Sequence, residues 1–266
     1  MAKTSRSGSE DILQLPPPKA DERVAYGPHP LQFADLRLPK TAGPHPVAIV
    51  IHGGFWKNAY DLEHTGHLCA ALGAAGVATW SLEYRRVGDA GGGWPGTVED
   101  VARGASHLTM VAPKYPLDLR RVAALGHSAG GQLALWLGAE RKVSLRGVIS
   151  LAGVADLRRA WELDLGSGAA AKFLGGSPKD VPDRYRQASP LERIPLGVPQ
   201  VLIHGYDDDI VPLEISERYC RAAQASGDDV RLRALRSTGH LELIDPRSRQ
   251  WAGVERSVKE MLSQRG

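Results

Sequence analysis

The run Val47-Ala48-Ile49-Val50-Ile51 is continuously apolar, rich in β-branched residues, and bounded by Pro46 and by Gly53-Gly54. An apolar run without alternation predicts a strand covered on both faces, as central parallel strands are. Runs of the same kind recur at 77–82, 122–125 and 148–151, and again at 201–203 and 230–235. One earlier segment differs. From Leu31 the sequence LQFADLRLP alternates apolar and polar positions until Pro39 stops it, the pattern of a half-buried antiparallel strand. Stretches with helical character lie at 62–75, 98–111, 129–139, 215–225 and 250–262. Strands alternating with helices predict a doubly wound α/β protein, a mostly parallel central sheet with helices on both faces.

Two segments stand outside that alternation. Residues 1–22 are polar and carry Pro16-Pro17-Pro18, which predicts a flexible or surface-draped extension ahead of a single domain over 23–266. Residues 156–195 hold Gly166, Gly168, Gly175, Gly176, Pro178, Pro182 and Pro190 with short amphipathic pieces between them. An excursion of that length between two core strands predicts a cap or lid insertion over a site.

Composition narrows the function classes. The chain has 266 residues, 42% hydrophobic and 24% charged, an ordinary globular balance unlike disordered, collagenous or membrane chains. Its formal charge of +3 arises from 33 basic and 30 acidic residues mixed along the sequence, so no nucleic-acid partner is expected. Cys69 and Cys220 are far apart and fit no metal or CxxC spacing, which predicts free thiols. No apolar stretch reaches spanning length and the first ten residues lack an apolar signal core; the expectation is a cytoplasmic protein without a membrane partner. Monomer and homodimer both stay open.

The candidate chemistry centres on Gly126-His127-Ser128-Ala129-Gly130-Gly131, which follows one apolar strand and precedes the helix-like Gln132-Leu133-Ala134-Leu135-Trp136. Strand before and helix after is the context in which G-x-S-x-G becomes a nucleophile elbow. The turn forces the serine into a strained backbone conformation, and flanking glycines keep the neighbouring chain clear of it. Serine needs a base to take its proton, and histidine is suited to that near neutral pH. Of nine histidines, only His204 and His240 follow the serine. His204 ends an apolar strand and suits a backbone-holding role. His240, in the loop Ser237-Thr238-Gly239-His240 before the last helix, is the expected base. The acid lies among Asp207, Asp208 and Asp209; three adjacent carboxylates cannot all enter a dry site, and spacing does not choose between them. Acyl transfer also needs donors for a developing oxyanion, and the amide after the nucleophile, that of Ala129, is one.

HGGFW at 52–56, GHSAGG at 126–131, HGYDDDIVP at 204–212 and STGHLELIDP at 237–246 together resemble the α/β-hydrolase superfamily. The resemblance covers about residues 24–262 and is nearest to the esterase/lipase group that borders feruloyl and acetylxylan esterases, kynurenine formamidases and prolyl-oligopeptidase-like catalytic domains. It implies the α/β-hydrolase fold. It also implies that Asp208 is the triad acid, because that group places the acid directly after the two variable positions that follow the HG dipeptide. By the same pattern His52-Gly53-Gly54-Phe55-Trp56 is an HGGG-type loop in which Phe55 replaces the third glycine, and the amides of Gly54 and Phe55 join Ala129 as oxyanion donors. A side-chain change leaves the amide in place.

Trp56, Tyr60 and Trp94 lie on loops expected at the carboxyl edge of the sheet and, with His127, are the candidate substrate-binding residues. His64 and His67 lack a third ligand nearby and are read as packing or surface residues, so no metal is expected. Glu83-Tyr84-Arg85-Arg86 is expected to be an ion-paired structural loop, and Gly91-Gly92-Gly93 a mobile one. No dinucleotide or phosphate-binding pattern stands in a supporting context, so no cofactor is implied. Three functions follow: a carboxylesterase acting on a small-molecule ester, an arylformamidase suggested by the HGGxW-like loop, and a non-catalytic ligand-binding protein of the same fold.

Overall fold

In a computed structural model, residues 10–263 are described. Eight strands form one sheet: β1 (Glu22–Ala25), β2 (Phe33–Arg37), β3 (His45–Ile51), β4 (Ala78–Leu82), β5 (Leu117–His127), β6 (Gly147–Leu151), β7 (Gln200–Gly205) and β8 (Val230–Leu235). Their spatial order is β1-β2-β4-β3-β5-β6-β7-β8. The pairs β1/β2 and β2/β4 are antiparallel, and from β4 onward every pair is parallel. This is the α/β-hydrolase fold that the sequence predicts.

Period-two burial explains the apolar runs. In β3, Val47, Ile49 and Ile51 join the core on one face, while Ala48 and Val50 join the core on the other. The helices α2 (Gly96–Val111), α3 (Ala129–Glu140) and α7 (Glu214–Ala225) pack on the first face. The helices α1 (Gly66–Ala74) and α8 (Trp251–Ser263) cover the second. Both faces being dry, each central strand must be apolar throughout. Among the described residues no helix is long and apolar enough to cross a membrane.

Residues 156–195 fold as three short helices, α4 (Leu157–Glu162), α5 (Ala169–Leu174) and α6 (Pro182–Ala188), with a 3-10 turn at Pro190–Glu192. They pack on the first face, where Gln132 Nε2 donates to the Ala188 carbonyl and Trp136 Nε1 to that of Gln187, and they reach the loop of Phe55 through Lys57 Nζ, which donates to the Gly166 carbonyl at 2.8 Å. The Phe173 ring stacks on Trp56 at 4.7 Å. Of the extension read at 1–22, residues 1–9 lie outside the described residues. Residues 10–13 form a 3-10 turn whose Ile12 is fully buried against the second face. Both cysteines are free and buried.

Candidate active site

The turn between β5 and α3 has the strained geometry that the glycine pattern predicts. Ser128 stands at φ 57°, ψ −122°, a conformation L-residues rarely adopt. The residues two positions to either side must be glycine for space. A Cβ on Gly126 would lie 2.0 Å from the Gly130 carbonyl oxygen, and one on Gly130 would lie 2.1 Å from that of Ile51. The tight turn starts α3 immediately after the serine, so the Ala129 amide is one of the helix's first N–H groups and has no partner inside the helix.

The loop after β3 packs against this turn. Gly54, Phe55 and Trp56 take positive φ in succession, 103°, 51° and 55°, which folds the chain sharply back on itself. A Cβ on Gly53 would lie 2.9 Å from Ser128 Cβ, and one on Gly54 would strike the Tyr60 side chain at 2.4 Å. His52 anchors the start of the loop: its Nε2 is 3.1 Å from Glu83 Oε1, and its ring stacks on Tyr84 at 4.3 Å. Glu83 also pairs with Arg86 at 3.2 Å, the structural ion-paired loop expected at 83–86. Gly92 is a packing position, because a Cβ there would lie 1.8 Å from the Arg86 carbonyl oxygen, and Gly91 and Gly93 beside it take positive φ.

Asp208 is the buried carboxylate of its run; Asp207 and Asp209 are exposed. His240 Nδ1 is 2.7 Å from Asp208 Oδ2. The carboxylate accepts, so Nδ1 carries the proton and Nε2 is left as the basic nitrogen. The other oxygen, Oδ1, accepts from the amides of Ile210 at 2.9 Å and Val211 at 2.8 Å. Burial raises the Asp208 pKa, but hydrogen bonds from His204 and His240 and the charge of His240 overcome it and hold the carboxyl below its ordinary range. His204 spans Val211 O at 2.8 Å and Ser216 Oγ at 2.7 Å, so it holds the acid loop in place.

Ser128, His240, Gly54 and Phe55 line one cavity of about 90 Å³, together with Tyr60 and His127. Among the described residues no hydrogen bond joins the Ser128 hydroxyl to the His240 ring; such contacts often tighten only around substrate. His127 Nε2 donates to the His240 carbonyl at 3.0 Å, and the two rings lie 4.5 Å apart. Burial, with the neighbouring His240 and His64 rings, holds His127 well below the ordinary histidine pKa. His64, also in the wall, is pushed down to about 3 by burial and by the nearby His52 ring. Both rings belong to the wall of the cavity that Ser128 lines.

Two of the expected substrate contacts are corrected. Trp56 is 1% exposed, donates from Nε1 to Gln132 Oε1 at 2.9 Å and stacks on Phe173; the positive φ turns its ring into the core. Trp94 lines a separate hollow with Trp136 and Arg193, and its amide donates to the Phe173 carbonyl at 2.8 Å. Sequence reasoning misses Leu13, Ile210 and Leu241, which also line the cavity of Ser128. The pattern around Ile210 and Leu241 is visible in the chain, but only the fold shows which way they face.

A family described as BD-FAE matches residues 34–222. The chain belongs to the BD-FAE family. Curated proteins with similar sequences include Esterase LipC of Mycobacterium tuberculosis, 27% identical across 84% of this BD-FAE chain and 60% of LipC. Another is a probable isoprenylcysteine alpha-carbonyl methylesterase of Arabidopsis thaliana, 24% identical across 85% of this chain and 52% of the other. The BD-FAE chain thus spans between half and three-fifths of the length of these relatives. Among solved structures, a truncated carbohydrate esterase from gut microbiota superimposes with a TM-score of 0.83 at 19% identity, over 94% of this chain and all of that one, a likeness of fold.

Proposed function

We propose that the chain is a serine carboxylesterase. Ser128 Oγ attacks the ester carbonyl while His240 Nε2 takes its proton. The C–O bond to the alcohol breaks as His240 returns that proton to the leaving oxygen, and water, deprotonated by the same nitrogen, then releases the acid and frees Ser128. Asp208 holds the imidazole with Nδ1 protonated and stabilises the imidazolium. The amides of Ala129, Gly54 and Phe55 receive the charge that builds on the carbonyl oxygen. The observation that carries this reading is the 2.7 Å pairing of Asp208 with a His240 that shares a cavity with a serine on a strained elbow. The names of the two curated relatives, an esterase and a probable methylesterase, support the same class. The substrate is a small-molecule ester, needing no cofactor. Cytoplasmic placement belongs to the same reading, in keeping with two free cysteines.

The test is a panel of p-nitrophenyl esters with N-formylkynurenine beside them. Ser128→Ala is expected to lower ester kcat by about 10⁴ or more and to abolish labelling by a fluorophosphonate probe. Equal rates for the two proteins refute the mechanism, and turnover of the formamide well above every ester replaces the ester by an aryl formamide.

A further inference from the structure

Leu13, Tyr60 and Ile210 are 42%, 41% and 38% exposed, and all three line the cavity of Ser128 and His240. Scattered exposed apolar side chains need no explanation, but apolar groups gathered around one mouth mark a surface that takes an apolar ligand. Tyr60 and Ile210 come from the loops that also carry Gly54 and Asp208. Leu13 comes from a segment ahead of the BD-FAE match, which begins at residue 34.

That segment is fastened at several points. Ile12 is buried in the core of the second face, the cluster that also holds Leu68, Leu72 and Leu243. Arg247 Nη2 donates to Asp11 Oδ1 at 2.6 Å, and Arg37 Nη2 donates to the Pro18 carbonyl at 2.9 Å. The His67 ring is 3.3 Å from the Leu15 carbonyl oxygen. Pro17 stands where a Cβ on Gly66 would lie 2.4 Å away, so the glycine that opens α1 makes room for it. A buried isoleucine next to a half-exposed leucine sends one side chain into the core and the other toward the cavity. Residues 156–195, in contrast, supply none of the cavity's lining among the described residues.

We infer that Leu13 is a specificity-determining residue: this N-terminal strap delivers it to the mouth of the cavity, where it meets the apolar substituent of the ester and limits that group's length. The inference rests on the esterase reading above. On the scale at which one water takes roughly 10–15 Å³, a cavity of about 90 Å³ accepts a group of a few heavy atoms, and anything longer must run past the collar of Leu13, Tyr60 and Ile210.

The experiment measures kcat/KM of the full chain on two ester series, p-nitrophenyl esters from acetate to octanoate and acetate esters of alcohols of rising length. Because Leu13 is half exposed, Leu13→Ala is expected to fold as the wild type does. It should raise the long-to-short ratio in one of the two series about tenfold, the usual scale for a methylene or two in an apolar pocket, and Leu13→Trp should lower it. Ile12→Ala, which loosens the anchor, should shift the ratio in the same direction as Leu13→Ala. Fluorophosphonate labelling of Ser128 should persist in all three. Ratios that stay at the wild-type value in both series, with hydrolysis intact, overturn the role of Leu13 alone. A wild type that hydrolyses no member of either series overturns the esterase reading and this one with it.

Discussion

Three neighbouring aspartates differ in what the backbone around them offers. Asp208 receives the amides of Ile210 and Val211 on one oxygen and His240 on the other, while Asp207 and Asp209 face solvent. Asp208→Asn replaces an acceptor with a donor in a site where every partner donates, and it favours the wrong imidazole tautomer. The expected loss in kcat is about 10⁴, with Asp207→Asn and Asp209→Asn close to wild type in the same ester assay. A loss at Asp209 equal to that at Asp208 would reassign the acid. The sequence carries this choice only through a family pattern, because three like residues in a row have the same composition and nearly the same spacing from His240. The Trp56 and Trp94 assignments failed for a related reason: a loop position is legible in sequence, but the direction of its side chain depends on φ values that only the folded loop imposes.

At the scale of elements, the strand-turn-helix around Ser128 was legible because its constraints are local. Gly126 and Gly130 have no room for a methyl group, so Gly126→Ala and Gly130→Ala should each destabilise the fold by about 3 kcal/mol or more, measured by urea unfolding, and remove the proposed esterase activity. Gly253, in the first turn of α8, has nothing within 4 Å of where a methyl group would stand. Gly253→Ala is expected to stabilise by about 0.5–1 kcal/mol, and a destabilisation there would show that helix propensity is not what limits the position. Elements without a periodic apolar signal were not legible. β1 (Glu22–Ala25) is an edge strand of mostly exposed residues, held by its pairing with β2. The polar start of β5 hides a strand because Arg120 and Arg121 are satisfied by Asp118.

For the molecule as a whole, acid stability follows from groups around the cavity. The unfolded chain binds a proton at each histidine below about 6.5, whereas folded His64 resists until about 3 and folded His127 is held well below 6.5. The unfolded state therefore binds more protons in that window, and stability falls as pH drops through it. Asp208, with its folded pKa lowered, contributes stability above the unfolded carboxyl value that is lost on further acidification. The urea midpoint should begin to fall below about pH 6.5, before carboxylates protonate. His64→Gln should flatten that slope by up to about 1.4 kcal/mol per pH unit, and an unchanged slope would mean His64 is protonated in the folded chain. From the sequence alone came the apolar strands of the parallel part of the sheet, the long helices between them, the elbow serine, and the separation of Ser128 from a late His240, since periodicity and glycine spacing act through neighbouring residues. Only the tertiary structure decided that 156–195 braces one face of the sheet, that Leu13 and Ile210 meet at the serine, and that Trp56 belongs to the core. Those contacts join segments distant along the chain, and their pairing is set by how whole elements pack.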